Sequence, residues 1–273
     1  MLDQIKALRA AKSPPSVLPV GSKGSTNETS SIRMVKSSFE DTKGEEPFVP
    51  VKLCLPTDPL APSNVISPLG YSSVAYFQNA ITPPLAAHLM SFVDSRDAEW
   101  VELRGRRLRQ LGGQPQSGGF LPIPLPPLLA SLGTALVDSG LFPPTHPPNH
   151  ILINDYALGE GITAHTDGPR YYPTVATLSL LDSAVMSFTV LHGAAKEGEK
   201  GGQVLGDVVL EENSLVVTWG DCYSRYAHSI SEKVDTVLGE VWNRTAINIT
   251  KGEVHSREGR RVSITIRHAY EKG

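Results

Sequence analysis

The sequence predicts a mainly β core with helices packed on one face, an α+β fold closed as a jelly roll or barrel. Three observations predict it. Two helical stretches come first, between residues 82 and 140. From Asn149 onward the texture changes to short runs rich in Ile, Val, Leu and Thr. Clusters of Gly, Asp, Asn and Lys separate these runs, as turns separate strands. Helices first and many short strands afterwards are the order expected when helices cover one face of an antiparallel core.

Length and composition set the frame. A chain of 273 residues suits one sizeable domain. Its 40% hydrophobic residues are ordinary for a globular protein, and a formal net charge of −3 gives no global pull toward nucleic acid or anionic membranes. Any nucleic-acid affinity must therefore be a local patch. Cys54 and Cys222 lie far apart and form no Cys-x-x-Cys pair, which fits a reducing intracellular compartment, cytoplasm or nucleus. No run approaches the roughly 18 consecutive apolar residues of a membrane helix, and the N-terminus lacks the apolar core of a signal peptide, so no membrane partner is expected. The Asn-x-Ser/Thr sequons at Asn27, Asn243 and Asn248 then read as chance. Oligomeric state leaves no signal in the sequence.

Residues 1–50 are rich in Ser, Lys, Pro, Gly and Glu, with too few large apolar residues to repay ordering, and read as a disordered N-terminal segment. Leu2, Ile5 and Leu8 have helical spacing, which in a terminal segment reads as a frayed surface stretch. Order begins near Val51, giving a domain over 51–273. Thr82 as N-cap, then Pro83 and Pro84, opens a first helix with the stripe Leu85, Leu89, Phe92 and Val93, ending before Trp100. The basic run from Arg104 to Arg109 leads into a Gly- and Pro-rich loop through Pro127. Leu128, Leu129, Leu132 and Leu136 describe a second helix ending near Gly140. The expected strands are 150–156, 174–180, 185–191, 203–210, 214–219 and 262–268. Residues 193–202 and 231–260 read as inserted loops, the second long enough to point to function or mobility.

The chemistry is concentrated in four patterns. His165 and Asp167 stand two residues apart, and in extended backbone such residues share a face, so one metal ion could take both. Two histidines and a carboxylate on one face of an octahedron are the usual ligands of non-haem iron(II), leaving three positions open. His228, about sixty residues further on and just past the run 214–219, is the best second histidine. A lone His-x-Asp is common in ordinary proteins, so it needs corroboration. In 261–267, alternation puts Arg261, Ser263, Thr265 and Arg267 on one face and Val262, Ile264 and Ile266 on the other. Cationic and hydroxyl groups facing into a closed core demand an anionic partner, and the two carboxylates of 2-oxoglutarate match guanidinium geometry. Asn154 and Tyr156 share a face one strand upstream and can donate to a carboxylate. The alternative for the arginine strand is an edge strand with a solvated face.

These residues, in this order, resemble the AlkB-type dioxygenases over roughly residues 75–270, and within them the sixth AlkB homologue subgroup. The marks are Arg106-Arg-Leu-Arg-Gln-Leu-Gly-Gly113, Asn149-His-Ile-Leu-Ile-Asn154-Asp-Tyr156 and His165-Thr-Asp-Gly-Pro-Arg-Tyr-Tyr-Pro173, the last being the most specific. The resemblance implies a double-stranded β-helix (jelly roll). It also implies Fe(II) on His165, Asp167 and His228, with 2-oxoglutarate held by Asn154, Tyr156, Arg261, Ser263, Thr265 and Arg267. O2 and 2-oxoglutarate would be co-substrates, and an N-methyl group would leave as formaldehyde. Two departures stand out. Bacterial-type members carry an acidic residue shortly after the metal Asp, where this chain has Gly168 and Pro169, and Leu181 replaces a glycine expected after the strand 174–180.

For the substrate, Arg106, Arg107 and Arg109 beside Trp100, with Tyr172 next to the metal motif, point to a methylated nucleic acid, since arginines contact phosphates and rings stack on bases. A solvated basic strand is the plainer reading of that run. The alternatives are hydroxylation or demethylation of a protein side chain, or a non-catalytic binding module on the same fold.

Overall fold

The computed structural model describes residues 50–67, 73–95, 98–116 and 119–270, so the expected disorder of 1–50 and the helical spacing of Leu2 to Leu8 lie outside the described residues, Pro50 excepted. The strands, in chain order, begin with β1 (Val74–Phe77), β2 (Val101–Leu103), β3 (Arg106–Leu111), β4 (Gly113–Gln116), β5 (Gly119–Pro122), β6 (His150–Tyr156) and β7 (Ile162–His165). They continue with β8 (Thr174–Leu181), β9 (Ala184–Val190), β10 (Val204–Leu210), β11 (Leu215–Trp219), β12 (Tyr226–Ile230), β13 (Asp235–Val237), β14 (Val254–Ser256) and β15 (Arg261–Arg267). Helices α1 (Pro83–Val93) and α2 (Pro127–Asp138) precede the dense β region, and α3 (Asp221–Ser224) and α4 (Arg244–Ile247) are single turns. Among the described residues no helix is long and apolar enough to cross a membrane.

Two antiparallel sheets form the jelly roll. The large one runs β1-β11-β8-β15-β6-β3-β2, the small one β10-β9-β12-β7. At the centre of the large sheet β15 pairs with β6 in the register Arg261↔Tyr156, Ser263↔Asn154, Thr265↔Leu152 and Arg267↔His150. Because side chains alternate, the same strands send Ile151, Ile153, Val262, Ile264 and Ile266 to the opposite face. There they join Leu178 and Leu180 of β8 and pack on Leu89 and Val93 of α1 and Leu129, Leu132 and Leu136 of α2. Each such buried side chain contributes about 1.5–3 kcal/mol. The apolar face is thus spent on the helices, and the polar face is left for the cavity between the sheets.

Both long helices open on proline pairs. Thr82 precedes α1 in extended backbone without a side-chain cap bond, and Pro83 and Pro84 fill its first positions. A proline there has no N–H to leave unsatisfied, so the cap hydroxyl is dispensable. In α2 the N-cap itself is Pro126, and Pro127 fills the first position.

Two expected loops hold regular structure. The Gly- and Pro-rich stretch before Pro127 contains the end of β3 and the β4–β5 hairpin. Gly112 makes this possible, with φ +89 and a position where a Cβ would stand 2.2 Å from the Asn149 carbonyl oxygen. The insertion 231–260 carries the β13–β14 hairpin and is anchored to the small sheet. Trp242 stacks on Phe188 at 4.9 Å, the Asn243 amide exchanges hydrogen bonds with the Val209 backbone at 3.1 and 2.8 Å, and Gly239 N–H donates to Asp207 at 2.8 Å. Leu238, Val241 and Trp242 are too widely spaced to give a readable period.

Asp155, 4% exposed on the helix-side face of β6, accepts from Arg107 Nε at 2.8 Å and from Arg260 Nε and Nη2 at 2.8 and 2.9 Å. Burial raises its carboxyl pKa, but the hydrogen bonds from Arg260 and Arg107 outweigh that and leave it below the usual carboxylate range. Asp155→Ala is expected to destabilise the fold by about 2–3 kcal/mol, less than for a fully buried pair because both arginines are about a third exposed. The folded pKa is depressed, so this contribution is present above the unfolded value of about 3.9 and lost as pH falls through the folded one. Thermal melts of the two proteins should differ clearly at neutral pH and converge well below pH ~4.

Candidate active site

A cavity of about 210 Å³ lies between the sheets, lined from the large sheet by β6, β8, β11 and β15 and from the small sheet by β7, β9 and β12. His165 ends β7 and His228 is central in β12, and the two are direct cross-strand partners. Ile162 to His165 on β7 is matched by only Ile230 to His228 on β12. This bulge turns both Ile162 and His165 to the cavity, where strict alternation would separate them. The two imidazole centroids are 4.5 Å apart. His165 Nδ1–H donates to the Thr163 carbonyl at 2.8 Å, a bond that assigns the tautomer and leaves the Nε2 lone pair for a ligand. Burial pushes the His228 pKa down to about 4 against the pull of Asp167, with His165 and Arg267 adding to the depression, so this ring is neutral at physiological pH.

Asp167 lies in the loop beyond β7. One carboxylate oxygen accepts from Arg267 Nη1 at 2.7 Å and the other stands 3.8 Å from His228 Nε2. Neighbouring ligands of one octahedral cation, each about 2.1 Å from it, stand about 3 Å apart. Among the described residues no three His, Cys, Asp or Glu side chains have yet converged on one point. Less than about 1 Å of adjustment at Asp167, the ligand drawn toward Arg267, separates it from His228 in such a set. Two imidazoles and a carboxylate are the donor chemistry of non-haem iron(II), so the residues present fit that ion.

At the other end of the cavity Arg261 is 1% exposed. Its Nη2 donates to Ser179 Oγ at 2.9 Å, while Nε and Nη1 are buried with no hydrogen-bond partner. Burial lowers its pKa to about 10, which leaves it charged at neutral pH. A buried cation with two idle N–H groups fits the carboxylate of a small dianion, because leaving it unpaired costs several kcal/mol. Tyr156 and Ser263, both buried, stand beside it with hydroxyls, Thr265 lines the cavity further along the same strand, and Leu152, Val175 and Val216 supply apolar wall. Burial is the main cause that raises the Tyr156 pKa, so its phenol stays protonated and can donate. Asn154 Oδ1 accepts from Arg106 Nε at 3.0 Å, which leaves the Asn154 amide N–H group to donate.

All nine residues expected to hold the metal and co-substrate line this one cavity. The four expected to meet the substrate divide. On β3, Leu108 faces Asn154, and Arg107 and Arg109 face Asp155 and Ile153. Arg106 is therefore on the cavity face and lines it, while the grouping of Arg107 and Arg109 with it is corrected by parity. Arg107 pairs with Asp155 and lies 4.6 Å over Trp100, and Arg109 lies 5.0 Å over Phe92, both on the helix side. Tyr172 is outside the cavity, stacked on His146. Sequence reasoning missed Ser179, which β8 places directly opposite Ser263, and the role of Tyr171, which reads with Arg170 and Tyr172 as a base-stacking ring but instead lies with its ring 4.0 Å from the Arg267 guanidinium. It also missed His150, fully buried beside Arg267 with its pKa lowered to about 3, first by burial and then by that arginine. Ser179 was legible in principle, as the inward position of a strand that alternates cleanly.

Comparison with known proteins accords with this geometry. The family model described as the 2OG-Fe(II) oxygenase superfamily matches residues 78–267. A Danio rerio protein described as "Probable RNA/DNA demethylase ALKBH6" is 31% identical over 204 residues, covering 68% of this chain and 86% of that protein. The Mus musculus "tRNA (carboxymethyluridine(34)-5-O)-methyltransferase ALKBH8" is 30% identical over 151 residues, 54% of this chain and 21% of the relative, so the chain spans about a fifth of that protein's length. Among solved structures, a 2OG-Fe(II) oxygenase family oxidoreductase from Burkholderia pseudomallei aligns with a TM-score of 0.48 and 12% identity over 77% of this chain and 91% of that one. The chain belongs to the AlkB branch of the 2OG-Fe(II) oxygenase superfamily and is a dioxygenase that works with iron(II) and 2-oxoglutarate.

Proposed function

We propose that this dioxygenase removes methyl groups oxidatively from nucleic acid, RNA or DNA. We assign iron(II) to His165, Asp167 and His228, and 2-oxoglutarate to Asn154, Tyr156, Arg261, Ser263, Thr265 and Arg267. The observation that carries the site assignment is one cavity with a facing pair of imidazoles at one end and an unpaired buried guanidinium at the other. The substrate class is supported by likeness to the Danio rerio relative described as a probable RNA/DNA demethylase, and by Arg106, a cation on the cavity wall. The free thiols of Cys54 and Cys222 support an intracellular setting, cytoplasm or nucleus.

Iron(II) at this centre supplies the coupling of 2-oxoglutarate oxidation by O2, giving succinate and CO2, to oxygen insertion into a substrate C–H bond. On an N-methyl group that insertion yields an N-hydroxymethyl product, which loses formaldehyde. The chain's own part is placement. His165, held by the Thr163 carbonyl, and His228 would present ring nitrogens to the metal. Arg261, braced by Ser179, would hold a carboxylate of 2-oxoglutarate through its idle N–H groups. Tyr156 and Asn154 donate to co-substrate oxygens. Arg267 holds Asp167 while spreading its charge over Tyr171. The apolar walls, including Met186 and Ile230, keep water from the reacting carbon.

With Fe(II), 2-oxoglutarate and a panel of methylated RNA and DNA oligonucleotides, the protein is expected to release formaldehyde, and His165→Ala and Asp167→Ala to release none. Silence across the panel would remove nucleic acid as the substrate, and a gain of one oxygen atom on a candidate protein would assign the activity to protein side chains instead. His228→Ala should lose most of its bound iron in metal analysis, and iron content equal to wild type would unseat His228 as a ligand. Arg261→Met should weaken 2-oxoglutarate binding on the order of 100-fold, and Ser179→Ala about tenfold, in a calorimetric titration of the iron-loaded protein.

A further inference from the structure

The loop after β7 returns to the end of β15 as an antiparallel bridge between Tyr171 and Ala269. Tyr172 N–H donates to the His268 carbonyl at 2.8 Å, and Tyr270 N–H to the Arg170 carbonyl at 3.1 Å. Neighbours in extended backbone point to opposite sides. Tyr171 lines the cavity, and Tyr172 points away from it. There its ring stacks on His146, with centroids 4.4 Å apart and planes at 23°. His268 and Tyr270, two residues apart across the bridge, meet His146 edge-on at 5.0 and 6.0 Å. Four rings therefore form one patch at the outer lip of the cavity.

None of the four is buried, and Tyr270 is 36% exposed. Their orientation is already set. His268 Nδ1–H donates to the Pro147 carbonyl at 2.7 Å, and His146 Nδ1 bonds the Thr145 hydroxyl at 3.0 Å. Rings held in place before binding lose little freedom when a partner stacks on them. Exposed Arg170 lies in the same bridge and adds a cation. Flat polar-rimmed rings beside a guanidinium fit a base with its phosphate. Tyr171 and Tyr172 are consecutive, so the patch begins one residue from the cavity that takes the reacting base.

We propose that His146, Tyr172, His268 and Tyr270 form a stacking subsite for bases flanking the reacting nucleotide in a single-stranded nucleic acid. The proposal rests on the nucleic-acid reading above and extends it to the neighbouring nucleotides. The test uses the full chain and end-labelled, unmethylated RNA and DNA single strands of about eight nucleotides, a usual site size, with binding read by fluorescence anisotropy. His146→Ala and Tyr270→Ala are each expected to raise Kd about tenfold for at least one of the two strands. His146→Phe, which keeps a ring, should stay within about twofold of wild type. Unchanged Kd in both alanine variants, the exposed Tyr270→Ala among them, would overturn the subsite. Binding is read without turnover, so the two readings fail separately. Strands that bind through these rings but yield no formaldehyde when methylated would remove demethylation and keep the subsite, and formaldehyde release with unchanged Kd in both variants would do the reverse.

Discussion

A guanidinium buried between two sheets, with no ion pair among the described residues, is the constraint around which this molecule is organised. Arg261 lies on the strand whose other face, Val262, Ile264 and Ile266, is the middle of the hydrophobic core. A slip of one residue in β15 would turn those three side chains into the cavity and drive Arg261 and Arg267 under the helices. Core and cavity lining are therefore one register decision. The same register puts Ser179 across from Ser263, within reach of the Arg261 guanidinium, so the strand pairing that builds the core also aims the cation.

The second arginine of that strand ties the two ends of the cavity together. Arg267 reaches Asp167 through Nη1, His150 through Nη2 and Tyr171 through its π-face. The Asp167 carboxylate is thereby held in the loop beyond β7. The histidines need no such brace, because β7 and β12 present them as a cross-strand pair and the β7 bulge supplies the missing half-turn. The histidine end of the cavity is thus set by irregular pairing in the small sheet, and the Arg261 end by regular pairing in the large one.

That contrast explains what could be read in advance. Strands with clean alternation were legible to within a residue or two, 150–156 with its exact bounds, together with the inward set Asn154, Tyr156, Arg261, Ser263, Thr265 and Arg267. The basic run on β3 was read as a patch, although it alternates, and so Arg107 and Arg109 were grouped with Arg106 despite facing the other way. The strand β12 was hidden, because Tyr226 to Ile230 carries a histidine and a serine where an apolar run would announce it. Partners supplied by backbone, such as the Thr163 carbonyl on His165, leave no mark in composition. The glycine expected at 181 has a physical basis, since Leu181 sits at φ +66, where only glycine is free of strain.

The departure at Gly168 and Pro169 can be understood in the same terms. Gly168 stands at φ +83, and the ideal Cβ built there would meet nothing, so the position is constrained by backbone and not by space. Any side chain there would be strained, and Pro169 stiffens the turn that follows. The Tyr223 hydroxyl stands within hydrogen-bond reach of the Gly168 and Tyr171 carbonyl oxygens and tethers this turn by donating its one proton between them. A rigid Gly-Pro turn gives up the acidic side chain that bacterial-type relatives carry nearby, and in exchange it delivers two consecutive tyrosines in fixed and opposite directions. Tyr171 then closes over the cavity cation while Tyr172 joins the outer rings. On the proposed nucleic-acid reading, discrimination among bases would fall to Arg106 and to aromatic faces, which read stacking and shape, rather than to a carboxylate that reads hydrogen-bond donors.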